Sequence, residues 1–146
     1  MGFRCITPQS MIRNYLNNQI ELKTQALINE LIYLGEEVVA IARERHKYKD
    51  QTGNLSSSIG YCIAVNGRVV HQSVFELVAS GTKGQQEGAM YLLETLANNT
   101  EGIVFAMVAG MPYAEYVNAM GLDVLDSAEN EIEKQLPEIK RRLGLT

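Results

Sequence analysis

Apolar residues recur with helical spacing over the first third of the chain. They fall at seven-residue steps from Ile20 to Ile41, with further Leu, Ile and Val residues between the steps. This stripe is wider than the two-position seam of a coiled coil, so it favours a helix laid on a sheet or buried in a subunit contact. The spacing predicts a long amphipathic helix over about residues 17–46, after a short helical lead-in near Ser10, and the turn-rich residues 48–54 end it.

A β-hairpin is predicted next. Residues 58–65 have the composition of a strand, and Asn66-Gly67 is typical of a two-residue type I′ turn, in which both positions need positive φ. The return strand is expected over residues 68–78, in the register that such a turn imposes. That register pairs Val65 with Arg68, Ile63 with Val70, Tyr61 with Gln72 and Ile59 with Val74, and it places Cys62, Ala64, Val69, His71 and Phe75 on the other face.

A loop, a helix and a strand are predicted in the middle of the chain. Residues 80–84 are rich in glycine and are expected to form a flexible loop. Apolar residues at helical spacing then predict a helix over about residues 86–97. Residues 103–109 form a continuous apolar run between glycines, which favours a central strand buried on both faces.

The last predicted element is an amphipathic helix. Its apolar residues recur at three- and four-residue steps from Leu125 to Leu143, and Asp123 or Asp126 is the expected cap. Pro137 lies inside this pattern, where it removes a backbone donor and clashes with the preceding turn, so a kink or a break is expected near it. Together the elements predict an α+β fold: a small, mainly antiparallel sheet packed by a long N-terminal helix and a C-terminal helix.

Length and composition place few further limits on the protein. The 146 residues, with 46% hydrophobic and 21% charged, are close to average for one globular domain, so a single domain over residues 1–146 is expected. A chain of this size folds without disulfides or a structural metal. No apolar run approaches the length of about 20 residues that crosses a bilayer. A soluble, cytosolic protein with free thiols at Cys5 and Cys62 is therefore expected.

The charges are divided unevenly. The net charge is -4, but residues 1–75 carry a net charge of +2 and residues 76–146 a net charge of -6. Opposite patches on one protomer can meet across a subunit boundary, and such contacts close into rings when the rotation allows. An alternative is a DNA-contacting or regulatory module of a mobile element that uses the basic cluster, although a pI near 5.2 argues against general nucleic-acid binding. The candidate interface residues are Arg43, Arg45, Lys47, Lys49, Glu129 and Glu133.

Residues that could carry catalysis are scarce. The predicted register places Cys62 opposite His71, the minimum for an activated cysteine nucleophile, and a hydrolase that uses this pair is a third hypothesis. Side-chain packing on a half-covered sheet face is the simpler explanation. The glycine loop is not a phosphate-binding loop, because Lys83 precedes Gly84 rather than following it. No catalytic, cofactor-binding or metal-binding residues are predicted.

Two segments carry a resemblance to a known family. Residues 50–61 (DQTGNLSSSIGY) and 111–117 (MPYAEYV) resemble the gene-product-ten-like family of tailed phages, small neck or tail-completion proteins often found in prophages. In that family a long N-terminal helix is followed by a Thr-Gly-x-Leu turn, a hairpin, a Tyr-Ala-x-Tyr-Val segment and a C-terminal helix. The order of predicted elements is the same across almost the whole chain.

The resemblance implies a non-enzymatic virion protein that acts at the head-tail junction or the tail terminus. It implies a homo-oligomeric ring, possibly of six subunits, with other neck or tail proteins as partners and neither a cofactor nor a membrane. The expected location is the host cytoplasm during assembly and the virion afterwards. The matched residues are expected to determine the fold, by forming the turn, anchoring it in the core and packing beside the central strand. They are Thr52, Gly53, Leu55, Ile59, Tyr113, Tyr116 and Val117.

Overall fold

The computed structural model describes residues 9–44, 48–50, 52–98 and 101–145. It has the predicted α+β fold, with a long N-terminal helix, a three-stranded antiparallel sheet and a C-terminal helix. The elements in chain order are α1 (Gln9–Glu44), α2 (Asn54–Ser57), β1 (Ile59–Val65), β2 (Arg68–Gln72), α3 (Thr82–Ala97), β3 (Ile103–Ala109), α4 (Ala114–Ala119) and α5 (Asp126–Arg142).

Helix α1 is one continuous helix of 36 residues, so the expected separate lead-in is part of it. Its buried residues begin at Ile28 and pack with α5 and with one face of β1. Helix α1 comes close to the sheet at Gly35, where an added Cβ would lie 2.3 Å from the Tyr61 ring. A glycine is needed there because any side chain would overlap that ring.

Strand β1, rather than β3, is the central strand. The strand order is β2-β1-β3, and the described β1 residues from Ile59 to Ala64 are all buried. Side chains of β3 alternate between the α1 side and the α3 side of the sheet, as expected of a strand with both faces covered, yet Ile103 at its start is 38% exposed. The prediction of a central position was wrong because an apolar run reports covered faces and not the number of hydrogen-bonded neighbours.

The hairpin turn is confirmed, but the register changes beyond it. Asn66 and Gly67 have φ of 50° and 82°, as a type I′ turn requires. The predicted pairing of Val65 with Arg68 is present. A bulge then inserts Val70, and β2 ends at Gln72 instead of Val78. The later predicted pairs are therefore wrong: Ile63 pairs with His71, and Cys62 pairs with Gln72.

The predicted flexible loop at residues 80–84 is largely the first turn of α3. This helix starts at Thr82, four residues earlier than expected. The Gly84 amide donates a hydrogen bond to Asn54 Oδ1 at 3.1 Å, and a Cβ on Gly84 would lie 1.9 Å from the Asn54 carbonyl oxygen. The glycine therefore serves close backbone packing here, which composition does not distinguish from flexibility.

Helix α5 runs without a break through Pro137. The proline lies on the exposed side of the helix, where water can hydrogen bond the carbonyl that it leaves without a donor. The N-cap residue of α5 is Leu125 and neither Asp123 nor Asp126, but Asp123 Oδ1 accepts a hydrogen bond from the Ser127 amide in the first turn at 3.0 Å. Across the part of the chain that the structure describes, none of the helices combines the length and the apolar character that spanning a bilayer requires.

Candidate functional site

Cys62 and His71 do not face each other, so the cysteine-histidine pair expected from the simple hairpin register is not formed. Cys62 is fully buried between the sheet and α3, whereas the His71 ring lies on the α1 side, 5.7 Å from the Tyr61 ring. Burial raises the pKa of the Cys62 thiol, which lowers its thiolate fraction. This is the reverse of the environment that activates a nucleophilic cysteine.

A polar cluster around Tyr61 lies between α1 and the sheet. The Tyr61 hydroxyl donates a hydrogen bond to Glu36 Oε1 at 2.8 Å, and His71 Nε2 lies 3.1 Å from the Tyr61 hydroxyl oxygen. The ring stacks on Phe105, with centroids 5.6 Å apart. Burial raises the pKa of Tyr61, and the hydrogen bond to Glu36 raises it further. The hydroxyl therefore stays protonated and connects α1 to β1.

Sequence reasoning did not find this cluster. Tyr61 could be placed on a core-facing position from the alternation of the strand, but Glu36 is 25 residues away on another element. His71 reaches Tyr61 because of the bulge in β2. No local sequence pattern predicts that Glu36 or His71 lies next to Tyr61.

Arg43, from the predicted basic cluster, is a partly buried structural residue. Its side chain is 15% exposed, donates a hydrogen bond to the Ile59 carbonyl at 3.0 Å and forms an ion pair with Glu76 at 3.0 Å. Burial lowers its pKa, and the charge of Glu76 opposes that shift. Arg43 therefore holds the end of α1 against the start of β1 and is not available to a partner.

The other candidate interface residues divide into two groups. Arg45 and Lys47 lie outside the described residues. Lys49 is exposed just before α2, and Glu129 and Glu133 are exposed on α5. The three exposed residues are accessible to a partner.

The two segments that carry the family resemblance pack together. Leu55, which is 2% exposed, lies in one cluster with Met111 and Ala114, although the segments are about fifty residues apart in sequence. Between the segments is a surface cleft of about 280 Å³. We call this region the motif junction; the residues lining the cleft are Tyr48, Lys49, Asp50, Thr52, Leu55, Tyr113 and Val117.

Several polar side chains at and beside the motif junction form hydrogen bonds with the backbone. Asp50 Oδ2 accepts a hydrogen bond from the Ser56 amide at 2.9 Å, which satisfies one of the amides in the first turn of the short helix α2. Ser57 Oγ accepts a hydrogen bond from the Val78 amide at 2.8 Å. Gly53 has φ of 76°, and a Cβ there would lie 1.8 Å from the Val78 carbonyl oxygen. These groups attach the segment after β2 to the start of β1, which is a structural role.

The matched residues have different environments. Leu55 and Ile59 are buried, as expected, and Val117 is half-buried. Thr52 is exposed, and its Oγ1 lies 3.3 Å from the Asn54 amide. Tyr113 and Tyr116 are 42% and 69% exposed, so the packing role expected for Tyr116 is wrong. A short helix, α4, holds these two rings toward solvent instead.

Comparisons with protein-family models, curated proteins and solved structures find no match for this chain. Within residues 9–44, 48–50, 52–98 and 101–145, no three His, Cys, Asp or Glu side chains are grouped so that they could hold a metal ion.

Proposed function

We propose that this protein is a non-enzymatic virion assembly protein of a tailed phage. It acts at the head-tail junction or the tail terminus, as a homo-oligomeric ring in contact with other neck or tail proteins. One observation carries the proposal: the two segments that resemble the phage family pack into a single motif junction. Two segments that belong to the same family architecture are expected to contact each other in the folded protein.

The surface beside the motif junction is suited to a protein partner. Tyr113 and Tyr116 lie there on and beside α4, and Met120 follows them with 57% of its surface exposed. Aromatic residues and methionine are enriched at protein interfaces relative to the rest of the surface. Asp50 and Ser57 bond to backbone groups, whereas Lys49 and the rings of Tyr113 and Tyr116 are exposed and accessible for recognition.

The first test is the oligomeric state of the purified chain. Sedimentation velocity is expected to show a concentration-dependent oligomer that weakens with salt, and electron microscopy is expected to show rings. The double variant Lys47→Glu/Lys49→Glu is expected to weaken the ring, since it reverses the charge opposed to Glu129 and Glu133. Lys83→Glu, an exposed lysine at the start of α3, is the matched control. A monomer at every concentration would count against a ring that forms on its own.

A second test separates assembly from DNA contact. In an inducible prophage that encodes the chain, deletion of its gene is expected to leave unjoined heads and tails or tails with aberrant ends. Normal virions from the deletion strain would contradict the assembly role. Salt-sensitive retention on a DNA column, lost in Lys47→Glu/Lys49→Glu, would favour the alternative of a DNA-contacting module.

A further inference from the structure

The first fifteen described residues of α1 are not covered by the rest of the domain. Every residue from Gln9 to Lys23 is exposed, and the first buried residue of the helix is Ile28. Gly144, just after α5, lies beside Lys23, so the covering helix ends where the exposed part begins. We call residues 9–23 the α1 arm; at 1.5 Å per residue it is about 22 Å long.

The α1 arm carries large apolar side chains in spite of its exposure. Ile12, Leu16 and Ile20 follow one another at four-residue steps and are 38%, 53% and 63% exposed. They continue toward the N-terminus the stripe that further along the helix packs in the core. Three more residues widen the apolar surface: Met11, Tyr15 and Leu22, which are 60%, 64% and 64% exposed.

This surface is large enough to contribute to an interface. Six side chains that are roughly half exposed present on the order of 500 Å² of apolar area, near the upper limit of the patch found on a typical monomer. A standard interface buries about 800 Å² on each side, so two such arms can supply most of one. Contact with another chain would stabilise the helical form of the arm.

We propose that the α1 arms of two copies of this chain cross antiparallel about a two-fold axis at Leu16. The apolar row is symmetric in sequence about that residue, because Ile12 and Ile20 lie four positions to either side. An antiparallel pair therefore sets Ile12 of each copy against Ile20 of the other and Leu16 against itself. Rows at four-residue spacing from two helices interdigitate at a crossing angle of about -50°.

The charges on the arm agree with this arrangement. Arg13 follows Ile12 by one position, and Glu21 follows Ile20 by one, so both lie on the same side of the apolar row. In an antiparallel pair the same sides face each other, and Arg13 of one copy meets Glu21 of the second twice by symmetry. In a parallel pair in register these residues would be eight positions apart. Charge complementarity therefore favours antiparallel over parallel pairing of the arms of two copies.

Sedimentation of a core-row variant tests the pairing. The wild-type chain is expected to form dimers at micromolar concentration, and Leu16→Glu is expected to weaken them by at least about 30-fold, as loss of a central hot spot does. The matched control is Tyr33→Glu on the same helix outside the arm, where Tyr33 is 81% exposed. A wild-type monomer at about 100 times that concentration, or a dimer that Leu16→Glu leaves unchanged, would overturn the proposal.

Charge exchange and cross-linking test the direction. Arg13→Glu and Glu21→Arg are each expected to weaken the dimer, and the double variant is expected to restore it. In a Cys5→Ser background, a mixture of Ile12→Cys and Ile20→Cys chains is expected to form the mixed disulfide in preference to either homodimer. Preferred homodimers, or a double variant as weak as its parents, would refute the antiparallel crossing.

The arm pairing does not depend on the proposed phage function. If Leu16→Glu abolishes a dimer but no ring is found, the pairing stands and the ring does not. If rings form and are insensitive to Leu16→Glu, the ring stands and the pairing does not.

Discussion

At the scale of single residues, long-range polar contacts and strand register decide the roles of Arg43, Cys62 and His71. Arg43 reaches the carbonyl of Ile59 and the carboxylate of Glu76, so a residue expected on a basic surface fastens α1 to β1. Cys62 and His71 lie on opposite faces of the sheet because one extra residue, Val70, enters β2. The role of Arg43 depends on contacts with residues far apart in sequence, and the separation of Cys62 from His71 depends on a bulge that the turn type does not predict.

The Tyr61 hydroxyl is expected to contribute stability that depends on pH. Its pKa is raised in the folded protein by burial first and by Glu36 second, so its contribution is present below the ordinary tyrosine pKa of about 10 and is lost as pH rises above it. Tyr61→Phe should cost about 1 kcal/mol at pH 8, since Glu36 and His71 lose a partner.

Urea unfolding at pH 8 and at pH 10.5 measures this difference. The gap in unfolding free energy between wild type and Tyr61→Phe should narrow at the higher pH. Tyr33→Phe, at an exposed tyrosine, reports any general effect of removing a hydroxyl group. A gap that stays constant between the two pH values would argue against ionisation of Tyr61 as the cause.

At the scale of elements, the local sequence pattern predicts the type of secondary structure well and its position in the fold poorly. Helix α1, the hairpin turn and α5 are present where the apolar spacing and the Asn-Gly pair predict them. Strand β3 forms where predicted but lies at the edge of the sheet, and residues 80–84 largely join α3 instead of forming a flexible loop. The position of β3 in the sheet and the structure of residues 80–84 both depend on which other elements pack against them.

Pro137 gives an element-scale prediction. It lies inside a continuous α5 and leaves the Glu133 carbonyl without its helical donor. Pro137→Ala should restore that bond and raise the free energy of unfolding by about 1–3 kcal/mol. Chemical denaturation measures the change, with Lys134→Ala, an exposed residue of the same helix, as the control. An unchanged or lower stability would mean that α5 has adapted its packing to the proline.

At the scale of the whole molecule, β1 joins the three apolar clusters of the described residues. Ile59, Tyr61 and Ile63 pack toward α1 and α5, whereas Cys62 and Ala64 pack toward α3. The third cluster, around Leu55, lies at the motif junction just before β1. No cluster can lose its packing without exposing a side of the same strand or the segment that enters it.

The described part of the chain is therefore expected to unfold in one cooperative transition. Far-UV circular dichroism and tyrosine fluorescence should give the same denaturation midpoint, the latter usable because the sequence has seven Tyr and no Trp. In a Cys5→Ser background, thiol labelling of the buried Cys62 should follow the same curve. Labelling well before the main transition would show that the α3 side opens separately.

Much of the fold follows from patterns within short stretches of chain. Apolar spacing predicted α1, α3 and α5, and the pair Asn66-Gly67 predicted the hairpin turn, because each depends on residues a few positions apart. The candidate sites were less predictable. Leu55 was correctly expected in the core, but the exposure of Tyr116 was not foreseen.

Tertiary packing settled the remainder. It set the strand order and brought Glu36 to Tyr61, and a bulge in β2 separates Cys62 from His71. It also left the α1 arm uncovered, although the arm shares the apolar stripe of the buried half of its helix. The reason is physical: local spacing tells which face of an element is apolar, but whether a neighbour covers that face depends on residues elsewhere in the chain or in a second copy.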